Sequence, residues 1–307
     1  MRSPKKLRAR NKKRLLPQIV GIMKDISSPA AVKALLKERG LSPNKQLGQN
    51  FLVDTNMINK IADAAEVTKA DAVLEIGPGL GALTQELSER AGSVVAVEID
   101  SGLAQALETT LLGRENITVI HADFLKCDLA ELHHALGGGS FKVAANLPYY
   151  ITTAIIMRIL ESGLPYVSMS FLVQKEVADR MAAFPGTKSY GSLSIAVQYY
   201  TNVQVVLSVP RGCFLPPPGV DSVVVRLTAR PPKVAVPKVE DFFRITRAAF
   251  AMRRKTLANN LAQGLGIGKD RAQQLIRAAN LPENVRGEEL SLEQFAEIAR
   301  AYTQVDG

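Results

Sequence analysis

The sequence predicts an α/β protein: a doubly wound, largely parallel sheet followed by a small all-α C-terminal domain. Three observations carry this. Five short apolar runs, at 72–76, 93–98, 117–121, 141–145 and 167–173, are separated by helical patterns, the signature of strand–helix–strand units. Two later runs, 203–209 and 221–227, lie close together across a proline-rich loop and read as an antiparallel pair at the sheet edge. After the proline-rich, polar stretch from Arg230 to Lys238, which reads as a domain boundary, only helical patterns remain, around 239–251, 254–263, 269–279 and 292–303.

The chain opens on a basic tail. Of a net charge of +9 over 307 residues, +8 comes from Arg2, Lys5, Lys6, Arg8, Arg10, Lys12, Lys13 and Arg14, with no acid among the first 14 residues. The rest is therefore nearly neutral, and the high isoelectric point describes the tail, not the body. Residues 1–22 are expected to form a disordered arm able to meet phosphates, with Met23 an alternative start. A secretory signal is not expected, because the apolar part, Leu15 to Met23, is short and contains Pro17 and Gln18; an organellar transit peptide stays open. The first helix is expected to start at Ser28-Pro29 and end at Gly40, an N-cap serine, N1 proline and C′ glycine. A polar loop, 42–50, follows, and Asp54 caps a helix to about Glu66. The composition, 47% hydrophobic, is that of a globular protein, and no run approaches the ~18 apolar residues of a membrane span. Cys127 and Cys213 are read as unbridged thiols, and three histidines give no zinc spacing; no metal is expected.

Chemistry concentrates after the strands. Glu75-Ile-Gly77-Pro-Gly79-Leu-Gly81 follows the first run and opens a helix, where glycines let the backbone turn and pass close to a ligand. Glu98 ends the second run, where an acid can take ribose hydroxyls. Asp123 follows the third and can accept from an adenine amine. Gly77-x-Gly79-x-x-Ala82 also satisfies the loose dinucleotide pattern, so this loop leaves S-adenosylmethionine and NAD both open.

Asn146-Leu147-Pro148-Tyr149 follows the fourth run. The Asn146 side-chain oxygen and the Pro148 carbonyl can each accept one hydrogen of an exocyclic amine, and the Tyr149 face can stack on the attached ring. A plain turn is the alternative, since Asn and Pro are common there. A hydride transferase has no evident use for an amine holder, which favours methyl transfer.

With these residues in view, the chain resembles the class I methyltransferases, and within them the small-subunit ribosomal RNA adenine dimethyltransferases. Six stretches carry the resemblance in order: Gln46 to Leu52, Glu75 to Gly81, Asn146 to Tyr149, Gln174 to Arg180, Phe214 to Ser222, and Arg253 to Asn260. It covers about 24–304. It implies a Rossmann-like methyltransferase domain over 23–230 that binds S-adenosylmethionine, and a helical RNA-binding domain over 239–307. Asn50, Leu52, Gly77, Gly79, Glu98, Asp123 and Asn146 are then expected at the cofactor. Asn146, Pro148, Tyr149 and Phe214 are expected at the target adenine, Phe214 closing on the second face, though a core aromatic is the other reading of Phe214. Arg247, Arg253, Arg254 and Lys255 are expected on RNA phosphates, against a solvated helix face. The implied reaction is N6,N6-dimethylation of two adjacent adenosines in the 3′-terminal hairpin loop of small-subunit rRNA, on the assembling 30S subunit. A cytoplasmic monomer without membrane association is expected. Three other readings remain: an assembly factor whose methylation is incidental, a methyltransferase acting on DNA or a protein amide, and an NAD enzyme.

Overall fold

The computed structural model describes residues 26–44 and 46–306; the basic tail and Lys45 lie outside them. The first helix, α1 (Pro29–Arg39), is capped by the Ser28 side chain and closed by Gly40. After a two-residue strand β1 (Phe51–Leu52), α2 (Thr55–Ala64) begins where the Asp54 carboxylate accepts the Met57 N–H at 2.8 Å. The alternating pattern then forms as expected: β2 (Ala72–Ile76), α3 (Ala82–Arg90), β3 (Ser93–Glu98), α4 (Ser101–Thr110), β4 (Ile117–His121), α5 (Leu129–Ala135), β5 (Phe141–Asn146), α6 (Thr152–Leu160) and β6 (Tyr166–Gln174). Two helices, α7 (Lys175–Met181) and α8 (Ser192–Tyr200), precede β7 (Thr201–Val209), β8 (Phe214–Leu215) and β9 (Ser222–Ala229). The chain ends in four helices: α9 (Val239–Ala249), α10 (Leu257–Leu265), α11 (Lys269–Ala278) and α12 (Leu292–Asp306).

Seven strands form one mixed sheet in the order β4-β3-β2-β5-β6-β9-β7. β3 and β5 are both parallel to β2, on opposite sides of it. Chain order therefore reverses at β2, and a crevice opens beyond the carboxyl ends of β2, β3 and β5, where such sheets bind ligands. β3 and β5 read as near-continuous apolar runs because both faces are covered. The edge strands β4 and β7 are more exposed, and β7, not β9, takes the outer edge. β1 pairs antiparallel with β8, Leu52 opposite Phe214, in a separate two-stranded ribbon; both were too short to stand out in the sequence.

By packing, the described chain divides into two compact units. One comprises the chain up to Ile155, Leu164–Gln174 and Val206–Arg226; the other comprises Ile156–Gly163, Lys175–Val205 and Leu227 onward. The division is not the linear one expected at 230–239. The reason is hydrophobic: Tyr190, Ile195, Ala196 and Tyr199 of the α8 region share a buried core with Phe242, Phe243, Leu261 and Phe295 of the helical tail. Tyr199 lies 5.0 Å from Phe242 and 5.3 Å from Phe243 between ring centroids. That segment is sequence-local to the sheet but packs with the helices. In the first unit, Leu52, Ile58, Val73, Leu87, Leu172, Phe214 and Val224 belong to one core.

Candidate active site

One cavity lies at the carboxyl ends of β2, β3 and β5, and it is lined by Asn50, Leu52, Gly77, Gly79, Glu98, Asn146, Pro148 and Tyr149, together with Glu75, Ile99 and Tyr150. Residues far apart in sequence are brought together here by strand order alone.

The glycine turn forms its floor. Gly77 and Gly79 have φ of 71° and 62°, in the left-handed region, and a Cβ on Gly79 would come within 3.3 Å of the Phe51 ring. The Gly79 N–H donates to Glu98 Oε2 at 3.0 Å, and the Asp100 N–H donates to Oε1 at 2.9 Å. Each Glu98 oxygen so keeps a lone pair for a further donor. Burial raises the Glu98 carboxyl above its ordinary range, these two N–H bonds oppose that, and the Asp100 charge adds to it.

Glu75 had been read only as part of the turn. It is 1% exposed and lines the cavity. Its Oε2 and the neighbouring Thr84 hydroxyl are both buried, and apart from each other neither has a hydrogen-bonding partner among the described residues. Burial pushes its carboxyl up to about 8; Thr84 opposes the shift and the Glu98 charge adds to it. A lone buried acid on a ligand cavity is an acceptor waiting for a cationic donor. Its position at the end of a buried strand, directly before the glycine turn, was the signal for it.

The amine end is held by a different set. Asn146 ends β5, opposite Leu172 of β6. Its Nδ2 donates to the Asn50 carbonyl at 3.0 Å, which leaves Oδ1 as an acceptor on the cavity. Asn50 in turn sits in a loop fixed by Gln49, whose Oε1 accepts the Asn44 N–H at 2.8 Å and whose Nε2 donates to Asp100 at 3.1 Å. Tyr149 is oriented by a 2.6 Å hydrogen bond between its hydroxyl and Ser222. Burial raises its pKa, and the Ser222 bond opposes that. Ser222 closes the Phe214–Ser222 stretch, and its residue type alone gives no signal of this role.

Three expected residues are placed differently. The Pro148 carbonyl already accepts from Thr152 Oγ1 at 3.0 Å and the Ile151 N–H at 3.2 Å, so both its lone pairs are spent on starting α6. Among the described residues no donor reaches the carbonyl one residue earlier, Leu147. Phe214 is 3% exposed within the core of Leu52, Ile58 and Val224, and it is not among the lining residues. Asp123 is likewise not on the cavity: Oδ1 accepts the Leu125 N–H at 3.0 Å and Oδ2 pairs with Lys126 at 3.5 Å, capping the short turn 124–126. An acid just after a strand serves a helix cap as readily as a ligand.

In the second unit, Arg247 pairs with Glu161 at 3.1 Å and Arg253 with Glu288 at 3.2 Å. Arg254 and Lys255 are exposed, with no such partner among the described residues. Arg253 also donates to the Lys188 carbonyl and lines an open cavity of ≈ 1230 Å³ with Arg180, Lys188, Ser189 and Glu176. Arg180 belongs to the Gln174–Arg180 stretch, so two of the six sequence stretches meet there. Among the described residues no cluster of His, Cys, Asp and Glu could hold a metal, and no helix is long and apolar enough to cross a membrane.

The model of the ribosomal RNA adenine dimethylase family matches residues 40–304. The chain belongs to that family. It is 50% identical over 288 residues to the ribosomal RNA small subunit methyltransferase A of Geobacillus thermodenitrificans, covering 91% of this chain and 97% of the relative. The corresponding protein of Pelotomaculum thermopropionicum is 47% identical over 291 residues, covering 92% and 99%. Among solved structures, a dimethyladenosine transferase from Plasmodium falciparum superposes with a TM-score of 0.68 at 25% identity, over 83% of this chain and 98% of that one. The 23S rRNA methyltransferase ErmE gives 0.59 at 29% identity, over 84% and 100%. The dimethylase family depends on S-adenosylmethionine, and the cavity suits it. A buried acid without a cationic partner suits the cationic end of that molecule, a second acid with spare lone pairs suits its hydroxyls, and the bare glycine turn admits a close ligand. The sequence-level choice between S-adenosylmethionine and NAD is thereby resolved.

Proposed function

We propose that this protein dimethylates N6 of two adjacent adenosines in the 3′-terminal hairpin loop of small-subunit rRNA, acting as a cytoplasmic monomer on the assembling 30S subunit. The observation that carries it is Asn146: its amide nitrogen is tied to Asn50, so its carbonyl oxygen faces the cavity as an acceptor beside the Tyr149 ring. Its relatives, named for methylation of small-subunit rRNA, support the choice of substrate.

Bound S-adenosylmethionine supplies a methyl group activated by sulfonium. Glu98 would hold hydroxyls of that molecule, Glu75 its cationic end, and Gly77 and Gly79 its close passage. Asn146 Oδ1 accepts one hydrogen of the adenine amine, and the free Leu147 carbonyl, in place of Pro148, accepts the other. Both acceptors fix the nitrogen and match the positive charge it gains as it turns tetrahedral, so they favour the transition state over the ground state. The Tyr149 face adds a cation–π contribution of roughly 0.5–2 kcal/mol, and Ser222 keeps the ring in place. No strong base is needed, since an N-methylated adeninium gives its proton to water. Phe214 supports the site from the core, in the strand paired with β1. Arg180, Lys188, Arg253, Arg254 and Lys255 supply cations for RNA phosphates.

Methyl transfer from labelled cofactor tests this. The acceptors are small subunits lacking the modification, naked small-subunit rRNA, and large subunits, with mass spectrometry of the nucleosides. N6,N6-dimethyladenosine on small-subunit material alone is expected. Transfer to large subunits, to a DNA duplex or to none of them would refute the reading, and an Asn146→Ala protein that still rescues subunit assembly would favour an assembly factor.

A further inference from the structure

We propose that Tyr150 is a specificity-determining contact: a stacking platform, at the mouth of the cavity, for the base of the nucleotide beside the target adenosine. The inference rests on the RNA reading above and names how the neighbouring nucleotide is received.

Tyr150 lines the same cavity as Tyr149 and directly follows it in the chain. The two rings have opposite situations. Tyr149 is partly buried, with its hydroxyl fixed by Ser222. Tyr150 is 56% exposed and makes no hydrogen bond among the described residues. It is nonetheless seated: a Cβ on Gly48, at φ 59°, would lie 3.4 Å from its Cδ1 and 3.8 Å from its Cε1. One edge of the ring thus lies over the side-chain-free Gly48, and more than half of the residue is exposed. Among the described residues, only Ile99, next to Glu98, is a comparably exposed apolar residue on this cavity. Ile99 adjoins the acid assigned to the cofactor, and Tyr150 adjoins the residues assigned to the amine.

The physical need is specific. A strand that places one base in the cavity unstacks it from its neighbour, which loses a face. An aromatic ring at the rim replaces that lost face, and such stacking tolerates any base because every base has a π-face. A ring held on one side and open on the other suits that role.

The test compares wild type with Tyr150→Ala, Tyr150→Phe and Tyr150→Trp on naked small-subunit rRNA fragments. One fragment is intact and one carries an abasic site beside the target adenosine. On the intact fragment the alanine variant is expected to lose roughly 5- to 150-fold in kcat/KM, the range for one base–aromatic stack, while Phe and Trp restore activity. On the abasic fragment wild type and Tyr150→Ala are expected to converge. The same fold loss on both fragments would overturn the inference, as would no loss on the intact one. An equal loss of S-adenosylmethionine affinity by calorimetry would instead make Tyr150 a cofactor cover and also overturn it. If the wild type methylates small subunits and not the naked fragment, the same comparison is made on small subunits carrying the abasic site; failure on both refutes the RNA reading and this contact with it.

Discussion

Replacing Glu75 by Gln should stabilise the cofactor-free protein in alkaline solution far more than in acid. Burial raises the Glu75 carboxyl from its ordinary 4.5 to about 8, so the native state holds this proton more tightly than the unfolded chain does. Below pH 4.5 both states are protonated and the side chain costs nothing by ionisation. From 4.5 upward the unfolded chain releases its proton while the native state keeps it. Stability therefore falls as pH rises, and the loss levels off above about 8. The full penalty is on the order of 5 kcal/mol, at about 1.36 kcal/mol per pKa unit. Between about pH 5.5 and pH 8.5 the part that develops is about 3 kcal/mol. Glutamine has the same shape and does not titrate. Urea unfolding of wild type and Glu75→Gln at those two pH values gives the stability difference at each. The other titrating groups cancel between the two proteins. Any fixed cost of the amide is common to both pH values. The variant's advantage should grow by about 3 kcal/mol from acid to alkaline solution. A difference that stays flat would mean that Glu75 ionises normally in the native state, and the cationic-end assignment would lose its basis.

Other outcomes follow from the same geometry. Cofactor binding near pH 7, followed by calorimetry in buffers of different ionisation enthalpy, should release up to one proton, because a bound cation favours ionised Glu75; Glu75→Gln should abolish the release. Asn146→Ala should lower kcat by roughly 10²- to 10³-fold, as for loss of one transition-state hydrogen-bonding partner, measured by single-turnover methylation. Ser222→Ala frees the Tyr149 hydroxyl and should cost about 1 kcal/mol of stability by thermal unfolding, with a fall in activity that added substrate does not restore. Replacing Arg254 and Lys255 together by Ala should lower the slope of log affinity against log salt by about 1.4 on naked rRNA, at about 0.7 per lost contact to single-stranded phosphate. Arg247→Ala, which also breaks an ion pair with Glu161, should change that slope less.

Much of the fold was legible because strand and helix periods are local. The runs at 72–76, 93–98 and 117–121 match β2, β3 and β4 to the residue, since buried parallel strands bounded by helix caps leave no ambiguity of period. The unit boundary was not legible. Residues 175–205 are continuous with β6 in sequence, and only their burial against Phe242, Phe243 and Phe295 assigns them to the helices. That Gly77, Gly79 and Glu98 share one cavity was legible, because a strand end and a glycine turn fix backbone position. Side-chain use was less so. Whether Asp123 faces a ligand or caps its own turn, and whether Phe214 meets a base or fills the core, depends on a few rotatable bonds that no spacing encodes. The Pro148 carbonyl was read as free because the chain following it was read only as a strand-end motif. That α6 starts there, with Thr152 reaching back, is a helix-start effect that the residue types permit but do not require.

The two ends of the site are joined by one hydrogen-bonded path. Glu98 accepts the Asp100 N–H; the Asp100 carboxylate accepts from Gln49; the Gln49 loop carries the Asn50 carbonyl; and that carbonyl orients the Asn146 amide. The acid suited to the cofactor and the oxygen suited to the amine are therefore not independent. Asp100 is the pivot, since its other oxygen accepts the Gly102 and Leu103 N–H groups at 2.9 and 3.1 Å and caps α4. A helix end thus anchors the loop that sets the acceptor. Loosening the Gln49–Asp100 bond would leave Glu98 in place, held by Gly79, and release Asn50. Asn146 could then turn its nitrogen to the cavity, where a donor facing an amine donor opposes binding. Gln49, itself on the cavity wall, thereby also acts on the amine end through Asn50 and Asn146.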